Sequence, residues 1–261
     1  MKAKLFLATA TVAAFAFMLS APAFAQWLNY PTPGIPRLPN GQPNLEAPAP
    51  TTADGKPDLS GLYDIDSGRL FQDIAADIRP QDFPIQPWAA ALARQREQDM
   101  RKGDPYSHCL PPVVPRINSG NRPFKILQLP GLVVILYETG YLFRQIFTDG
   151  RPLAKDPQPA WLGYSVGKWE GDTLVVDTIG FQDQGWLDGN KGHPQTDAMH
   201  VTERFRRVNF GRLEIQATVD DPKAYTKPFT VKQTLHLLVD SEILENICNE
   251  NEKDATHLVG K

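Results

Sequence analysis

The chain has 261 residues, with 27 Lys and Arg against 30 Asp and Glu, and a formal net charge of −3. This acidic balance argues against nucleic acid or an anionic membrane surface as a binding partner. The length fits one domain, because β-barrels and β-sandwiches of this size usually form a single unit.

The N-terminal segment predicts export. Lys2 and Lys4 precede an apolar run over residues 5–19, and Ala-Phe-Ala at residues 23–25 matches a leader cleavage site. We therefore expect residues 1–25 to be a signal peptide and the protein to be periplasmic or secreted. A membrane anchor is the alternative, but the run is too short to span a bilayer. Loss of the leader leaves 25 basic against 30 acidic residues and no membrane span.

The next segments predict an extended arm, a first strand and one helix. Residues 26–57 contain eight prolines and cannot build a core of their own. Residues 58–63 suit a first strand. Pro87 then opens a helix that we expect near residues 87–102, because proline is favoured in the first helical turn. A proline-rich loop follows over residues 104–116.

From residue 125 onward, short segments of alternating polarity alternate with tight, glycine-bearing turns. This pattern predicts antiparallel hairpins. About ten strands are too many for an open sheet with bare edges. We therefore predict a mainly β fold, an antiparallel up-and-down barrel of 8–10 strands over residues 58–261, with a two-sheet sandwich as the alternative. The candidate strands are residues 125–129, 132–138, 141–147, 163–170, 173–178, 199–208, 212–220, 229–239 and 242–249.

The two cysteines predict a disulfide. Cys109 and Cys248 are 139 positions apart, and both lie in the exported part of the chain. In an oxidising compartment one bridge is the simplest outcome. A metal pair or a reactive thiol is the alternative, but the chain has no CxxC motif and no third cysteine.

Strand alternation predicts which polar side chains point into the barrel. On the strand at residues 199–208, Glu203 shares the apolar face, whereas His200 lies on the opposite face. Glu245 shares its face with apolar neighbours at residues 243 and 247. A carboxylate among apolar side chains is typical of acid–base sites. The alternative is a structural buried network in which Arg144, Arg204 or Arg207 supplies the counter-charge.

The loop before that strand is the densest group of ionisable residues in the chain. Asp188, His193 and Asp197 follow Trp186 there, and His200 comes at the start of the strand. Their spacing matches no metal-binding motif, so we predict no metal, although loop residues could still close around one. A His–carboxylate pair that moves protons, built on His193 or His200, fits the pattern better.

Several segments resemble the signature blocks of a large family of secreted bacterial proteins with no general known activity. The resemblance spans nearly the whole exported chain. It departs from the expected pattern at Val113, where we would expect a glycine. The barrel also resembles the lipocalin or calycin architecture, which concerns the fold alone. The blocks are GKPDLSGLY (55–63), DPYSHCLPPVVPR (104–116), IFTDGRP (146–152), WLGYSVGKWEGDTLVVDTIGF (161–181), GHPQTDAMHVTERFRR (192–207), DDPKAYTKPFT (220–230) and ICNENEKD (247–254).

The sequence predicts a cofactor-independent enzyme of the lyase, dehydratase or isomerase type. We expect it to act on a small apolar or aromatic alcohol inside the barrel. A carrier of a small hydrophobic ligand is the alternative, and an envelope-associated structural protein is a third. The sequence leaves the oligomeric state open. The residues predicted to be catalytic are Glu203, His200, Asp177 and Arg144, and those predicted to bind substrate are Tyr137, Trp186, His193, Asp188 and Glu245.

Overall fold

A computed structural model describes residues 31–120, 122–248 and 250. Nine strands form a closed barrel in sequence order, and β1 closes the ring by pairing with β9. This confirms the prediction of a barrel over a sandwich. The strands are β1 (Gly61–Ile65), β2 (Phe124–Leu129), β3 (Leu132–Tyr137), β4 (Phe143–Phe147), β5 (Tyr164–Glu170), β6 (Thr173–Ile179), β7 (His200–Arg207), β8 (Arg212–Asp220) and β9 (Phe229–Leu237).

Alternating side chains build the barrel interior. On β7, Val201, Glu203 and Phe205 are buried, whereas the residues between them are partly or fully exposed. The same alternation runs along β8 and β9. Because successive side chains of a strand point to opposite faces, this pattern fixes one apolar face toward the core.

Eight of the nine strand pairs are antiparallel, and β4 with β5 is parallel. The prediction of a wholly antiparallel barrel is therefore corrected for one strand pair, β4 and β5. Strand direction cannot alternate around a closed ring with an odd number of members, so nine strands require one parallel pair. Residues 148–163 supply the long connection that a parallel pair needs.

Two helices lie between β1 and β2. Helix α1 spans Arg69–Gln72 and helix α2 spans Pro87–Gln98, with Pro87 in the first turn as predicted. Helix α2 buries Ala89 and Ala93, which are one turn apart on the same side. It ends four residues earlier than expected, and Met100 and Arg101 then take positive φ angles that turn the chain away.

Residues 112–120 are all buried, and we call them the plug. They include a short 3-10 helix, Arg116–Ser119, whose four residues are all buried. Arg116 is paired with Asp104 through two hydrogen bonds of 2.8 and 2.7 Å. The plug thus adds polar side chains to a mainly apolar core.

One predicted strand is absent among the described residues, and two predicted N-terminal segments lie wholly or partly outside them. Residues 242–249 do not form a strand in the described part of the chain, and Glu245 is exposed rather than directed into the barrel. The ring is already closed by β1 and β9, so no barrel edge is left for another strand to pair with. The predicted signal peptide, residues 1–25, lies outside the described residues, as do residues 26–30 of the proline-rich arm.

Cys109 and Cys248 form the predicted disulfide, with a Cα–Cα distance of 5.6 Å. It ties the loop before the plug to the segment that follows the barrel. None of the helices in the described part of the chain has the length and apolarity needed to cross a bilayer.

Candidate active site

The connections at one end of the barrel contain Trp186, Asp188 and His193, three of the residues predicted to bind substrate. The register places the ends of β1, β6 and β8 at the same end as the starts of β2, β7 and β9. Residues 66–120, 122–123, 180–199 and 221–228 therefore lie at that end, and we call them the cap. The strands fix the points at which each cap segment begins and ends, so the cap has a rigid base.

His193 and Asp188 form a buried pair within the cap. His193 Nδ1 is hydrogen-bonded to Asp188 Oδ2. The His193 side chain keeps 11% of its surface exposed, and that of Asp188 keeps none. The carboxylate can only accept a hydrogen bond, so we assign the imidazole proton to Nδ1. This assignment leaves Nε2 with a free lone pair.

The backbone holds the Asp188 carboxylate in place. Asp188 Oδ2 accepts a hydrogen bond from the backbone N–H of Ile74 at 2.9 Å, and Oδ1 accepts from Lys191, Gly192 and His193 at 3.1, 2.7 and 3.3 Å. Burial opposes ionisation of the carboxyl group. The hydrogen bond from His193, the attraction of its protonated form and the backbone donors outweigh burial and lower the pKa of Asp188 below its ordinary value.

An aromatic cluster packs beside the imidazole. The Phe83 ring lies edge-on to His193, with ring centroids 4.8 Å apart. Phe83 also contacts Tyr225 and Phe229 at centroid distances of 5.6 and 5.2 Å. The Tyr225 hydroxyl donates to the carbonyl of Pro194 at 2.9 Å, which joins the two cap loops. His193 therefore has a carboxylate on one side and an apolar aromatic wall on another.

Trp186 belongs to the cap packing and is 5% exposed. The Arg96 guanidinium lies 4.3 Å from its ring centre, and Arg96 also donates to the Gly192 carbonyl at 2.8 Å. Burial lowers the pKa of Arg96 to about 10, so it keeps its positive charge at neutral pH. Arg96 thus packs against the Trp186 ring, and substrate binding by Trp186 stays a prediction.

Glu203 is buried in the barrel interior and paired with Arg144. Glu203 Oε2 accepts from Arg144 Nη2 at 2.5 Å, and Oε1 accepts from Asn118 Nδ2 at 2.6 Å. The Tyr137 hydroxyl donates to Asn118 Oδ1 at 2.7 Å. From the sequence, three arginines could supply the counter-charge, and the structure selects Arg144.

Polar partners complete this interior network. Arg144 donates through Nε to Ser165 at 3.1 Å and through Nη2 to Thr178 at 2.8 Å, but Nη1 is buried without a protein partner among the described residues. Burial disfavours the charge on Arg144, but the nearby Glu203 carboxylate outweighs burial and raises the pKa of Arg144. Salt bridges of this type need such additional hydrogen bonds to offset desolvation.

His200 and Asp177 lie on the outer face of the barrel. His200 Nε2 is 2.9 Å from Asp177 Oδ1, which also accepts from the Thr202 hydroxyl at 2.8 Å. The two side chains are 38% and 33% exposed. The sequence correctly placed His200 and Glu203 on opposite faces of one strand. Consequently these two residues do not act on one substrate, and that part of the sequence hypothesis is corrected.

One group of residues could contact a metal ion. Asp73, Asp188 and His193 have ligand-type atoms within 4.8 Å of one another. The Asp188 oxygens already accept four backbone hydrogen bonds and the contact from His193. Since a metal would compete with these donors for the same lone pairs, the donor set fits a hydrogen-bonded pair better than an ion site.

Asn118 and Phe83 are among the residues of these sites that the sequence did not indicate. Asn118 lies in the plug, and no local pattern indicates that this loop enters the barrel. Phe83 lies in the irregular segment before α2 and reaches His193 only through the tertiary fold. Both contacts join segments that are distant in sequence, so alternation within one strand could not reveal them.

No family model matches this chain, and no curated protein is significantly similar to it.

Proposed function

We propose that this protein is an acid–base enzyme of the lyase, dehydratase or isomerase type, with the reaction centre at His193 in the cap. The observation that carries the proposal is the His193–Asp188 pair, in which the carboxylate is fixed by four backbone donors. General bases of this kind require an orienting partner and an available lone pair.

The pair supports a defined proton-transfer role. Asp188 accepts the Nδ1 hydrogen and so directs the Nε2 lone pair away from the carboxylate. When Nε2 takes a proton from the substrate, the Asp188 carboxylate stabilises the resulting imidazolium. The same imidazolium then returns the proton to the substrate or to a departing hydroxyl group. Asp188 stays ionised throughout, which is consistent with its lowered pKa.

The surroundings of His193 support an aromatic or apolar alcohol as the substrate class. Phe83, Tyr225 and Phe229 form a continuous edge-to-face cluster next to the imidazole. An aromatic substrate can extend this cluster in the offset or edge-to-face geometry that such rings prefer. The interior residues Glu203 and Arg144 have a structural role in this proposal, because they neutralise each other deep in the core.

We also propose that the chain is exported and belongs to the family of secreted bacterial proteins that its sequence blocks resemble. The Cys109–Cys248 disulfide supports export, since such bonds persist mainly in oxidising compartments. The barrel supports a relationship to calycin-type folds at the level of architecture only.

The test is turnover of a panel of 1-phenylethanol, 2-phenylethanol and cinnamyl alcohol in deuterated buffer. Substrate loss and deuterium incorporation are followed by NMR and mass spectrometry. We expect His193→Gln to lower kcat/KM by about 10²–10⁴-fold, the usual contribution of a positioned acid–base group. His200→Gln is the matched control, because His200 also pairs with an aspartate but lies on the outer face. Equal activity in both variants would refute the assignment.

A second candidate is a carrier of a small hydrophobic ligand. A groove of about 460 Å³ lies between the outer face of β3 and β4 and the segment after the barrel. Its apolar walls include Leu136, Phe143 and Leu244, and its rim includes Glu245. Binding of a panel compound without turnover, abolished by Phe143→Ser but unaffected by His193→Gln, would support this function instead.

A further inference from the structure

The outer face of β7, β8 and β9 presents an ordered group of cationic side chains. Glu203, Phe205 and Arg207 point inward on β7, so Arg204 and Arg206 point outward. A groove of about 390 Å³ runs between these side chains and those of the next two strands. Its cationic residues are Arg204, Arg206, Arg212 and Lys232.

The strand register sets the positions of these charges. Arg204 lies opposite Gln216, and Gln216 lies opposite Lys232. In the next row Arg206 lies opposite Glu214, which is the only acidic residue that lines the groove among the described residues. Four cations against one acid stand out in a chain whose net charge is −3.

Most of this positive charge is available to a ligand. Arg206 and Lys232 are exposed and have no ion pair within the part of the chain that the structure describes. Arg204 contacts Glu170 at 3.2 Å and Arg212 contacts Glu214 at 2.7 Å. Both contacts involve exposed side chains, and exposed ion pairs contribute little to stability, so an anionic ligand can replace them.

We propose that this face binds an acidic oligosaccharide. Arginine pairs with carboxylate or sulfate groups through two parallel hydrogen bonds, which suits a ligand with repeated acidic groups. Neutral groups that suit sugar hydroxyls lie among the cations: Gln216, Thr173 and Thr234 line the same groove. An inorganic phosphate or a lipid headgroup would use the cations but not this set of neutral donors and acceptors.

The proposal is tested by titrating the purified protein with a galacturonic acid tetramer and with its methyl-esterified form, using calorimetry at low and raised salt. We expect the acid form to bind, with affinity that falls as salt rises, and the ester to bind far more weakly. The double variant Arg206→Gln/Lys232→Gln should weaken binding by about tenfold or more, since charge-assisted hydrogen bonds are lost.

The matched control is Arg79→Gln/Lys227→Gln, which removes the same charge from exposed positions outside the groove. This control should leave the affinity nearly unchanged. The proposal is overturned if the tetramer does not bind, if the ester binds equally well, or if both double variants weaken binding alike. Binding of anionic lipid vesicles through Arg206 and Lys232, without binding of the tetramer, would also overturn it.

Discussion

The buried carboxylate of Glu203 could contact either a substrate or a counter-charge, and in the structure it pairs with Arg144. The sequence correctly indicated that Glu203 faces the core, because it alternates with Val201 and Phe205. It could not show whether the carboxylate meets a substrate or a counter-charge. Arg144 comes from β4, at a distance of 59 residues along the chain, so the pairing depends on the closed ring. The sequence therefore predicted the position of Glu203 but not its role.

Removal of the Glu203 charge should destabilise the protein strongly. Glu203→Gln leaves Arg144 buried without its counter-charge, and breaking a buried pair in this way costs about 3–5 kcal/mol. The measurement is the free energy of unfolding in urea. The double variant Glu203→Leu/Arg144→Met removes both charges and should lose less stability than the single variant. A single-variant loss below about 1 kcal/mol would contradict the role given to this pair.

Asp188 should make stability depend on acidic pH. Its pKa is lower in the folded protein than the ordinary aspartate value of about 3.9 in the unfolded chain. The folded state therefore binds fewer protons, and the stabilisation is complete above about pH 4 and disappears as pH falls through the folded pKa. The stability difference between wild type and Asp188→Asn, measured by urea unfolding from pH 7 to 2.5, should shrink toward low pH. A difference that stays constant would contradict the prediction.

At the level of elements, the sequence predicted both the strands and the pairing of neighbouring strands, with β4 and β5 as the one parallel exception. Every observed strand overlaps a predicted one, since half-buried strands have a period of two. Residues 242–249 also fitted that pattern, but the described residues of this segment form no strand, because strand formation requires a free edge. The sequence predicted a proline-rich loop over residues 104–116 but gave no sign of its burial, although residues 112–120 are buried. A local sequence pattern shows which face of a segment is buried. Whether that segment finds a strand edge to pair with, or enters the core as a loop, depends on distant segments.

Gly185 lies in the cap and packs closely against the plug. A Cβ atom at Gly185 would lie 2.3 Å from Val113 Cγ1 and 2.8 Å from Gln195 Nε2. Gly185→Ala should therefore lower the free energy of unfolding by about 1–3 kcal/mol, as overpacking in cores does. Gly68→Ala is the matched control, because a Cβ there meets nothing within 4 Å and φ is −74°. Comparable losses in thermal unfolding would refute this account.

At the level of the whole molecule, the closed barrel and the disulfide were both predictable from the sequence. Whether the ring has an odd or an even number of strands was not. Ten predicted strands would allow complete alternation of direction, whereas nine require the parallel pair of β4 and β5. The length of the connection over residues 148–163 is the one sequence feature that could have indicated it. The odd number arises because residues 242–249 stay outside the ring.

The disulfide should contribute strongly to stability through the long loop that it closes. With 139 residues between Cys109 and Cys248, the loop-closure entropy corresponds to about 5 kcal/mol, and measured contributions of disulfides are usually about 2–4 kcal/mol. Cys109→Ser/Cys248→Ser should lower the urea midpoint without changing the fold by circular dichroism. Wild type with reductant should match the double variant. An unchanged midpoint would contradict the prediction.

The position of the disulfide along the chain separates β1 from the other strands. The covalent loop from Cys109 to Cys248 contains β2 to β9, and β1 lies outside it. A cut between β1 and Cys109 would leave eight strands on one cross-linked polypeptide and the ninth on a separate peptide. The free edges of β2 and β9 would then pair with a β1 strand supplied by a separate peptide or by another copy of the chain. The barrel therefore offers a natural division for a two-part complementation system.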